Sequence, residues 1–225
     1  MIKLDRQDAV WILTMCNGEN RFNRQSLDAL HGALDTVEAC DPPVALVTTG
    51  EGKFFSNGYD LEWMANVPDE IAGLAADLHR LLGRLTALPL ITVAAVNGHA
   101  FAGGAQLAIA HDYVIMRSGR GYWCLPEADL GLPLTPEMFA VITAKLPART
   151  AQEAIMTGRR YGGDEAVAAG IAHRAVSEDR VLAEATALAA LHAAKDRRTL
   201  AAHRRLLYGE VMAICGIGPG TGAGE

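Results

Sequence analysis

The stretch NGHAFAGGAQLAIAHD (residues 97–112) decides most of the fold prediction, because two adjacent glycines interrupt an apolar run and then begin a helix. The apolar run before it, ITVAAV (residues 91–96), is typical of a buried strand. A similar junction, FFSNGYDL (residues 54–61), follows the strand VALVTTG. Glycine lets the backbone approach a ligand, and N–H groups at a helix start carry partial positive charge. Two neighbouring junctions of this kind predict two backbone donors around one oxygen atom.

The length and composition favour one large domain, or one domain with a small appendage. The chain has 225 residues, half of them apolar, and a net charge of −6 that disfavours nucleic acid and anionic membranes as main partners. Its four cysteines show neither a metal-ligand spacing nor a disulfide framework, so we expect no metal site. The sequence shows no secretory signal and no membrane-spanning run, and we therefore expect a cytoplasmic protein.

Short strands alternate with helices along the chain, which predicts an α/β fold with right-handed crossovers. The pattern predicts a hairpin in residues 2–15, a helix capped by Asn23 and a helix beginning at Thr135. From Ala148 onward the chain is predicted to be mostly helical, with a flexible glycine-rich tail in residues 214–225.

The segment LPEADLGLP (residues 125–133) contains the most promising acid. Pro126 and the neighbouring leucines suggest that Glu127 lies at the edge of an apolar pocket, where burial raises the pKa towards the range of a general base. A glutamate in a surface loop is the alternative. Gln106, one turn into the helix that the glycine pair begins, cannot take a proton at neutral pH.

Four segments carry a family resemblance, and together they cover most of residues 10–176. They are GKFFSNGYDL, NGHAFAGGAQLAIAHDYVIMR, LPEADLGLP and TGRRYGGDEAVAAGIAHRAV. The chain resembles the enoyl-CoA hydratase/isomerase (crotonase) superfamily, and most closely its plant-type Δ3,Δ2-enoyl-CoA isomerases. The resemblance implies a crotonase-like spiral of ββα turns in residues 1–175, C-terminal helices in residues 176–213, and a homotrimer or a dimer of trimers.

The resemblance also implies an acyl-CoA thioester as substrate, with no cofactor besides the coenzyme A that the substrate carries. By motif position, the thioester oxygen is held by the backbone N–H groups of Tyr59 and Gly103, an oxyanion hole. The backbone at Ser56, Asn57 and Gly58 is expected to lie along the coenzyme.

Five further side chains are expected near the substrate. Gln106 occupies the position at which hydratases of the family carry the first of two glutamates. Trp63 and Met64 are expected to line the acyl pocket from one side, and Trp123 with Leu125 from the other. Plain core packing of these aromatic and apolar side chains is the alternative.

The resemblance and the single retained acid predict an isomerase of fatty acid β-oxidation. Glu127 would move a proton from the carbon beside the thioester carbonyl to a carbon two positions away, which needs one base and a stabilised enolate. The alternatives are other enolate chemistry of coenzyme A thioesters, such as dienoyl-CoA isomerisation or weak hydration, and a non-catalytic acyl-CoA binder.

Overall fold

The strands form two sheets, mostly parallel, and the chain alternates between them. The structure is a computed structural model and describes residues 1–218. The strands are β1 (Ile2–Gln7), β2 (Val10–Met15), β3 (Ala45–Gly50), β4 (Phe54–Ser56), β5 (Ile91–Val96), β6 (His99–Phe101), β7 (Tyr113–Arg117), β8 (Trp123–Cys124) and β9 (Arg174–Val176).

The helices fill the intervals between strands and the C-terminal part of the described chain. They are α1 (Arg24–Glu38), α2 (Leu61–Asn66), α3 (Ile71–Ala87), α4 (Gly103–Ala110), α5 (Glu127–Leu130), α6 (Pro136–Lys145), α7 (Ala148–Thr157), α8 (Gly163–Ala168), α9 (Val181–His192) and α10 (Arg197–Ile214). Within residues 1–218, no helix is both long enough and apolar enough to cross a bilayer.

The large sheet has the strand order β1-β2-β3-β5-β7-β9, and the small sheet has the order β4-β6-β8. The β1–β2 pair is antiparallel, while the other neighbouring pairs of both sheets are parallel. Three times the chain leaves the large sheet, adds a short strand to the small sheet and then enters a helix. This repeat confirms the predicted spiral of ββα turns.

Side-chain caps begin the helices that the sequence marks most clearly. The Ser26 N–H donates to the Asn23 side chain at 3.0 Å at the start of α1. The Met138 N–H donates to the Thr135 hydroxyl at 3.3 Å at the start of α6, where proline takes the first helical position. Such caps satisfy N–H groups that have no acceptor inside the helix, so both predicted helix starts are confirmed.

Helices cover both faces of the large sheet. The leucine side of α3 is fully buried together with α1 and α4 on one face. On the other face, Val181, Ala185 and Ala189 of α9 pack against the strands β2, β3, β5 and β7. The last helix, α10, packs against α3 and α6. The predicted C-terminal helices are therefore present, and α9 completes the core of the large sheet.

Two predicted boundaries need correction. The division at residue 175 falls inside β9, whose three residues are too few to show an alternating pattern and which pairs with β7. The tail predicted from residue 214 is packed in its described part. Cys215 and Ile217 are only 5% and 7% exposed and contact α3 at Gly83. The remainder of that prediction, residues 219–225, lies outside the described residues.

A buried ion pair joins α10 to the large sheet. The two terminal nitrogens of Arg204 donate to the two carboxylate oxygens of Asp112 at 2.8 and 2.7 Å. They also donate to the carbonyl oxygens of Thr86 and Leu90, and the Thr92 N–H donates to Asp112. Burial alone would raise the pKa of Asp112, but the Arg204 charge and hydrogen bonds hold it below its ordinary value.

Replacing Arg204 by leucine tests this anchor. We expect Arg204→Leu to lower the free energy of unfolding by about 3–5 kcal/mol, because it leaves a buried carboxylate without its cation. Urea denaturation measures the change. The matched control is Arg174→Leu, which removes an arginine that is 58% exposed and paired with Glu184, and should cost less than about 1 kcal/mol. Equal losses in the two variants would contradict the anchoring role.

Candidate active site

The three strands of the small sheet run parallel, so the segments that follow them meet at one edge. Asn57 follows β4, Ala102 follows β6 and Pro126 closely follows β8. These segments border a cavity of about 470 Å³. Most of its other lining side chains are apolar and come from α2, α3, α5, α6 and the loop before α6. They include Leu61, Met64, Ile71, Leu130, Leu132, Pro133 and Met138.

The two glycine junctions touch each other through their backbones. Gly58 has a φ of +74°, and a Cβ placed there would lie 3.2 Å from the Gly103 nitrogen. A Cβ on Gly104 would lie 2.3 Å from the Ser56 carbonyl oxygen, a distance that no side chain can tolerate. Glycine at these two positions therefore allows the start of α4 to pack directly on the end of β4.

Two backbone N–H groups at this contact have no acceptor among residues 1–218. The backbone of Phe22 pairs with the residues on both sides of Tyr59: the Phe22 N–H donates to the Gly58 carbonyl oxygen at 2.8 Å, and the Asp60 N–H donates to the Phe22 carbonyl oxygen at 2.9 Å. The Tyr59 N–H consequently has no partner in that pairing. Gly103 is the first residue of α4, where an N–H has no acceptor within the helix. Tyr59 and Gly103 both line the cavity.

The backbone before Gly103 is strained. Ala102 has φ +49° and ψ −123°, a conformation that costs a residue other than glycine about 1–3 kcal/mol. Its N–H donates to the Cys124 carbonyl oxygen at 3.1 Å, which ties the strained residue to β8. Strain of this kind persists only where the surrounding structure holds it, and it fixes the orientation of the next peptide group.

Glu127 lies on the same cavity and is half-buried. Its Oε1 accepts a hydrogen bond from Nε2 of Gln106 at 3.2 Å, and its Oε2 is buried without a partner among the described residues. Burial raises the pKa of the Glu127 carboxyl, while hydrogen bonds from its own N–H and from Gln106 oppose that rise. The carboxyl therefore has one positioned oxygen, one free oxygen and an increased affinity for a proton.

The structure brings together four of the predicted site residues at the cavity surface: Asn57, Tyr59, Gly103 and Glu127. Ser56, Gly58 and Gln106 lie directly behind this surface and are buried. The Ser56 hydroxyl donates to the Asn20 carbonyl oxygen at 2.7 Å, and thus holds the loop. Gln106 is fully buried and meets the cavity through Glu127.

Three of the side chains predicted for the acyl pocket do not line this cavity. Trp123 and Leu125 are 0% and 1% exposed and belong to the main core, where the indole N–H of Trp123 donates to Ala105 O. Core packing, the alternative stated for these side chains, is what the structure shows for both. Trp63 is half-buried against the core, whereas Met64, which was predicted for the same side of the pocket, lines the cavity.

Several cavity residues carry no signal in the sequence. Arg21 lies in the loop before α1, Ile71 is the first residue of α3, and Met138 lies in α6. No motif marks them, since they reach the cavity through packing of distant segments. Within residues 1–218, no group of three or more histidine, cysteine, aspartate or glutamate side chains is placed to hold a metal ion.

Comparison with known proteins identifies the family. The model of the enoyl-CoA hydratase/isomerase family matches residues 5–210. The chain belongs to this family. A curated relative named enoyl-CoA delta isomerase 2, peroxisomal, from Arabidopsis thaliana is 35% identical, with 96% of each chain covered. Enoyl-CoA delta isomerase 3 from the same plant is 34% identical, with 94% of this chain and 93% of that protein covered.

Solved structures of enoyl-CoA hydratase/isomerase proteins share the fold. A probable enoyl-CoA hydratase from Mycobacterium tuberculosis superposes with a TM-score of 0.89 at 24% identity, covering 97% of this chain and 92% of that one. A family protein from Silicibacter pomeroyi superposes with a TM-score of 0.82 at 26% identity, covering 95% and 99%. The crotonase fold predicted from the sequence is thus confirmed.

The hydrogen bond between Gln106 and Glu127 predicts a measurable titration. In the wild-type protein the pKa of Glu127 should lie above its ordinary value, and Gln106→Met should raise it further, because the amide donor favours the charged carboxylate. Carbon-13 NMR of labelled glutamate carboxyl groups measures the pKa. Gln25→Met, at an exposed position of α1, is the control. An unchanged or lower Glu127 pKa in the Gln106 variant would contradict the assignment.

Proposed function

We propose that the protein is an isomerase that converts 3-enoyl-CoA to 2-trans-enoyl-CoA. The observation that carries this proposal is one half-buried carboxyl group, Glu127, on the cavity that also receives the unpaired N–H groups of Tyr59 and Gly103. The names of the Arabidopsis thaliana relatives, which cover nearly the full chain, support the same activity.

The two N–H groups act as an oxyanion hole for the thioester oxygen. Removal of a proton from C2 places negative charge on this oxygen, and two fixed donors stabilise that charge without reorganisation. The strained Ala102 and the direct contact of the two junctions keep the donors oriented before substrate binds. Asn57 lies beside them, where it contacts the coenzyme portion, and the coenzyme is supplied by the substrate.

Glu127 carries the proton between the two carbons. Its carboxylate accepts a proton from C2, the electron pair moves into the enolate, and the double bond between C3 and C4 shifts to C2 and C3 as the same proton is delivered to C4. The free Oε2 is the oxygen that carries the proton, because Gln106 occupies Oε1. Its raised pKa makes the carboxyl a better base than an exposed glutamate.

Gln106 supports isomerisation over hydration. Hydration divides the work between a group that activates water and a group that helps to deliver a proton, and an amide can do neither. Dienoyl-CoA isomerisation also begins with removal of the C2 proton, but it delivers a proton to C6 of a longer conjugated system. A non-catalytic binder has no use for a buried carboxyl with a raised pKa.

The apolar lining of the cavity suits a hydrocarbon acyl chain. We propose on this basis that the protein acts in fatty acid metabolism. The homotrimer or dimer of trimers and the cytoplasmic location stay predictions, and two Arabidopsis thaliana relatives have peroxisomal in their names.

Replacing the base tests the proposal. Glu127→Gln should lower kcat for 3-enoyl-CoA by about 10²–10⁴-fold, because a neutral amide cannot accept the C2 proton. The appearance of the conjugated thioester absorbance follows the reaction for a series of acyl chain lengths. The matched control is Asp129→Asn, at an exposed acid two residues along α5, which should leave kcat within about twofold.

Three results would reject the proposal. Near-normal isomerisation by the Glu127→Gln variant would remove Glu127 from the mechanism. Loss of conjugated absorbance when the wild-type protein is mixed with 2-trans-enoyl-CoA, without isomerisation of 3-enoyl-CoA, would assign hydration instead. Tight binding of acyl-CoA with no product from any substrate in the series would assign a binding protein.

A further inference from the structure

The small sheet has a second cavity at the end opposite the candidate active site. It has a volume of about 480 Å³ and lies where β3, β5 and β7 end and the chain turns into β4, β6 and β8. Three-residue strands separate it from the active-site edge, a distance of about 10 Å at the usual rise per strand residue. Cavities at the carboxyl ends of parallel strands are common ligand sites in α/β proteins.

Positive side chains converge on this cavity in a protein of net charge −6. Lys53, Arg117 and Arg120 all line it, and among residues 1–218 Glu178 is the only acid that does. Glu178 is paired with Arg117 at 2.8 Å. Among residues 1–218, neither Lys53 nor Arg120 has a carboxylate within ion-pair distance. The cavity therefore has two cations with no anionic partner.

Glu51, the nearest acid along the chain from Lys53, does not neutralise it. Its carboxylate pairs with Lys3 at 2.6 Å. Lys53 instead lies over the ring of Phe54, with Nζ 5.4 Å from the ring centroid. This contact leaves the ammonium donors of Lys53 available at the cavity.

His99 adds a polar group to the same wall. Its ring packs between those of Phe54, Phe101 and Tyr122 at centroid distances of 5.3, 5.1 and 5.7 Å. Its Nδ1 is buried and has no hydrogen-bond partner among the described residues. Burial, together with the charges of the surrounding lysine and arginines, lowers the pKa of His99.

The cavity wall is held in place before any ligand arrives. The Asn97 side chain accepts a hydrogen bond from the Gly50 N–H at 3.1 Å and donates to the Gly52 carbonyl oxygen at 3.0 Å. It thereby joins the segment that leaves β3 to the segment that leaves β5. A fixed wall reduces the ordering cost of binding.

We propose that this cavity binds the phosphate group of a small phosphorylated molecule, separately from the acyl-CoA site. Arg120 provides forked donors that match phosphate oxygens, and Lys53 provides a compact positive charge. A cavity of this size in an otherwise acidic protein suits a small anion and disfavours nucleic acid. The proposal does not depend on the isomerase activity.

Titration calorimetry with inorganic pyrophosphate at constant ionic strength tests the proposal. The wild-type protein should bind one pyrophosphate per chain, and the double variant Lys53→Gln with Arg120→Gln should bind it at least about tenfold more weakly. The charge-matched control, Arg149→Gln with Arg198→Gln, removes two exposed arginines elsewhere and should bind as the wild type does. Absence of saturable binding, or equal weakening in the control, would overturn the proposal.

A variant that is expected to bind more tightly gives a second test, because a misfolded protein would not show tighter binding. Glu178→Gln releases Arg117 from its carboxylate partner and should tighten pyrophosphate binding severalfold. Unchanged or weaker binding in this variant would contradict a role for the cavity.

Binding of coenzyme A distinguishes a separate phosphorylated ligand from the phosphate groups of the acyl-CoA substrate. If the site is separate, the double variant loses affinity for pyrophosphate but keeps wild-type affinity for coenzyme A and wild-type KM for 3-enoyl-CoA. A matching loss of coenzyme A affinity with a raised KM would assign Lys53 and Arg120 to the phosphates of the substrate and overturn a second site. The pyrophosphate result stands even if no isomerase activity is found.

Discussion

The direct backbone contact between the two strand-to-helix junctions is the constraint on which the site depends. Gly104 lies against the Ser56 carbonyl oxygen and Gly58 lies against Ala102, so that the end of β4 and the start of α4 meet without intervening side chains. This approach leaves the N–H groups of Tyr59 and Gly103 unpaired at the cavity. The close approach is accompanied by backbone strain at Ala102, and the hydrogen bonds of the small sheet hold that residue in its strained conformation.

The second constraint is the balance of forces on one carboxyl group. Burial favours the protonated form of Glu127, and the amide of Gln106 favours the carboxylate while occupying one of its two oxygens. A proton shuttle must accept and release the same proton with similar ease, which requires neither form to be strongly preferred. A second carboxylate in the position of Gln106 would instead repel the first and divide the titration between them.

The sequence predicts the parts of the molecule that depend on local chemistry. Glycine pairs, a capping asparagine and a proline beside a glutamate each favour one kind of local structure. The two junctions and Glu127 accordingly lie on the cavity, and Asn23 caps α1. Trp123 and Leu125 lie in the main core and not on the cavity. The sequence does not distinguish these two places, because an aromatic or apolar side chain in such a segment suits either. Arg21, Met138 and β9 were missed because only long-range packing brings them to their places.

Deuterium transfer tests the central claim most directly. When 3-enoyl-CoA carrying two deuterons at C2 reacts in ordinary water, a single carboxyl shielded from solvent should deliver a substantial fraction of the removed deuteron to C4 of the product. Proton NMR or mass spectrometry of the 2-enoyl-CoA measures that fraction. Rapid isomerisation with complete loss of the removed deuteron to water would contradict the account, because the proton would then pass through solvent or through a second acid.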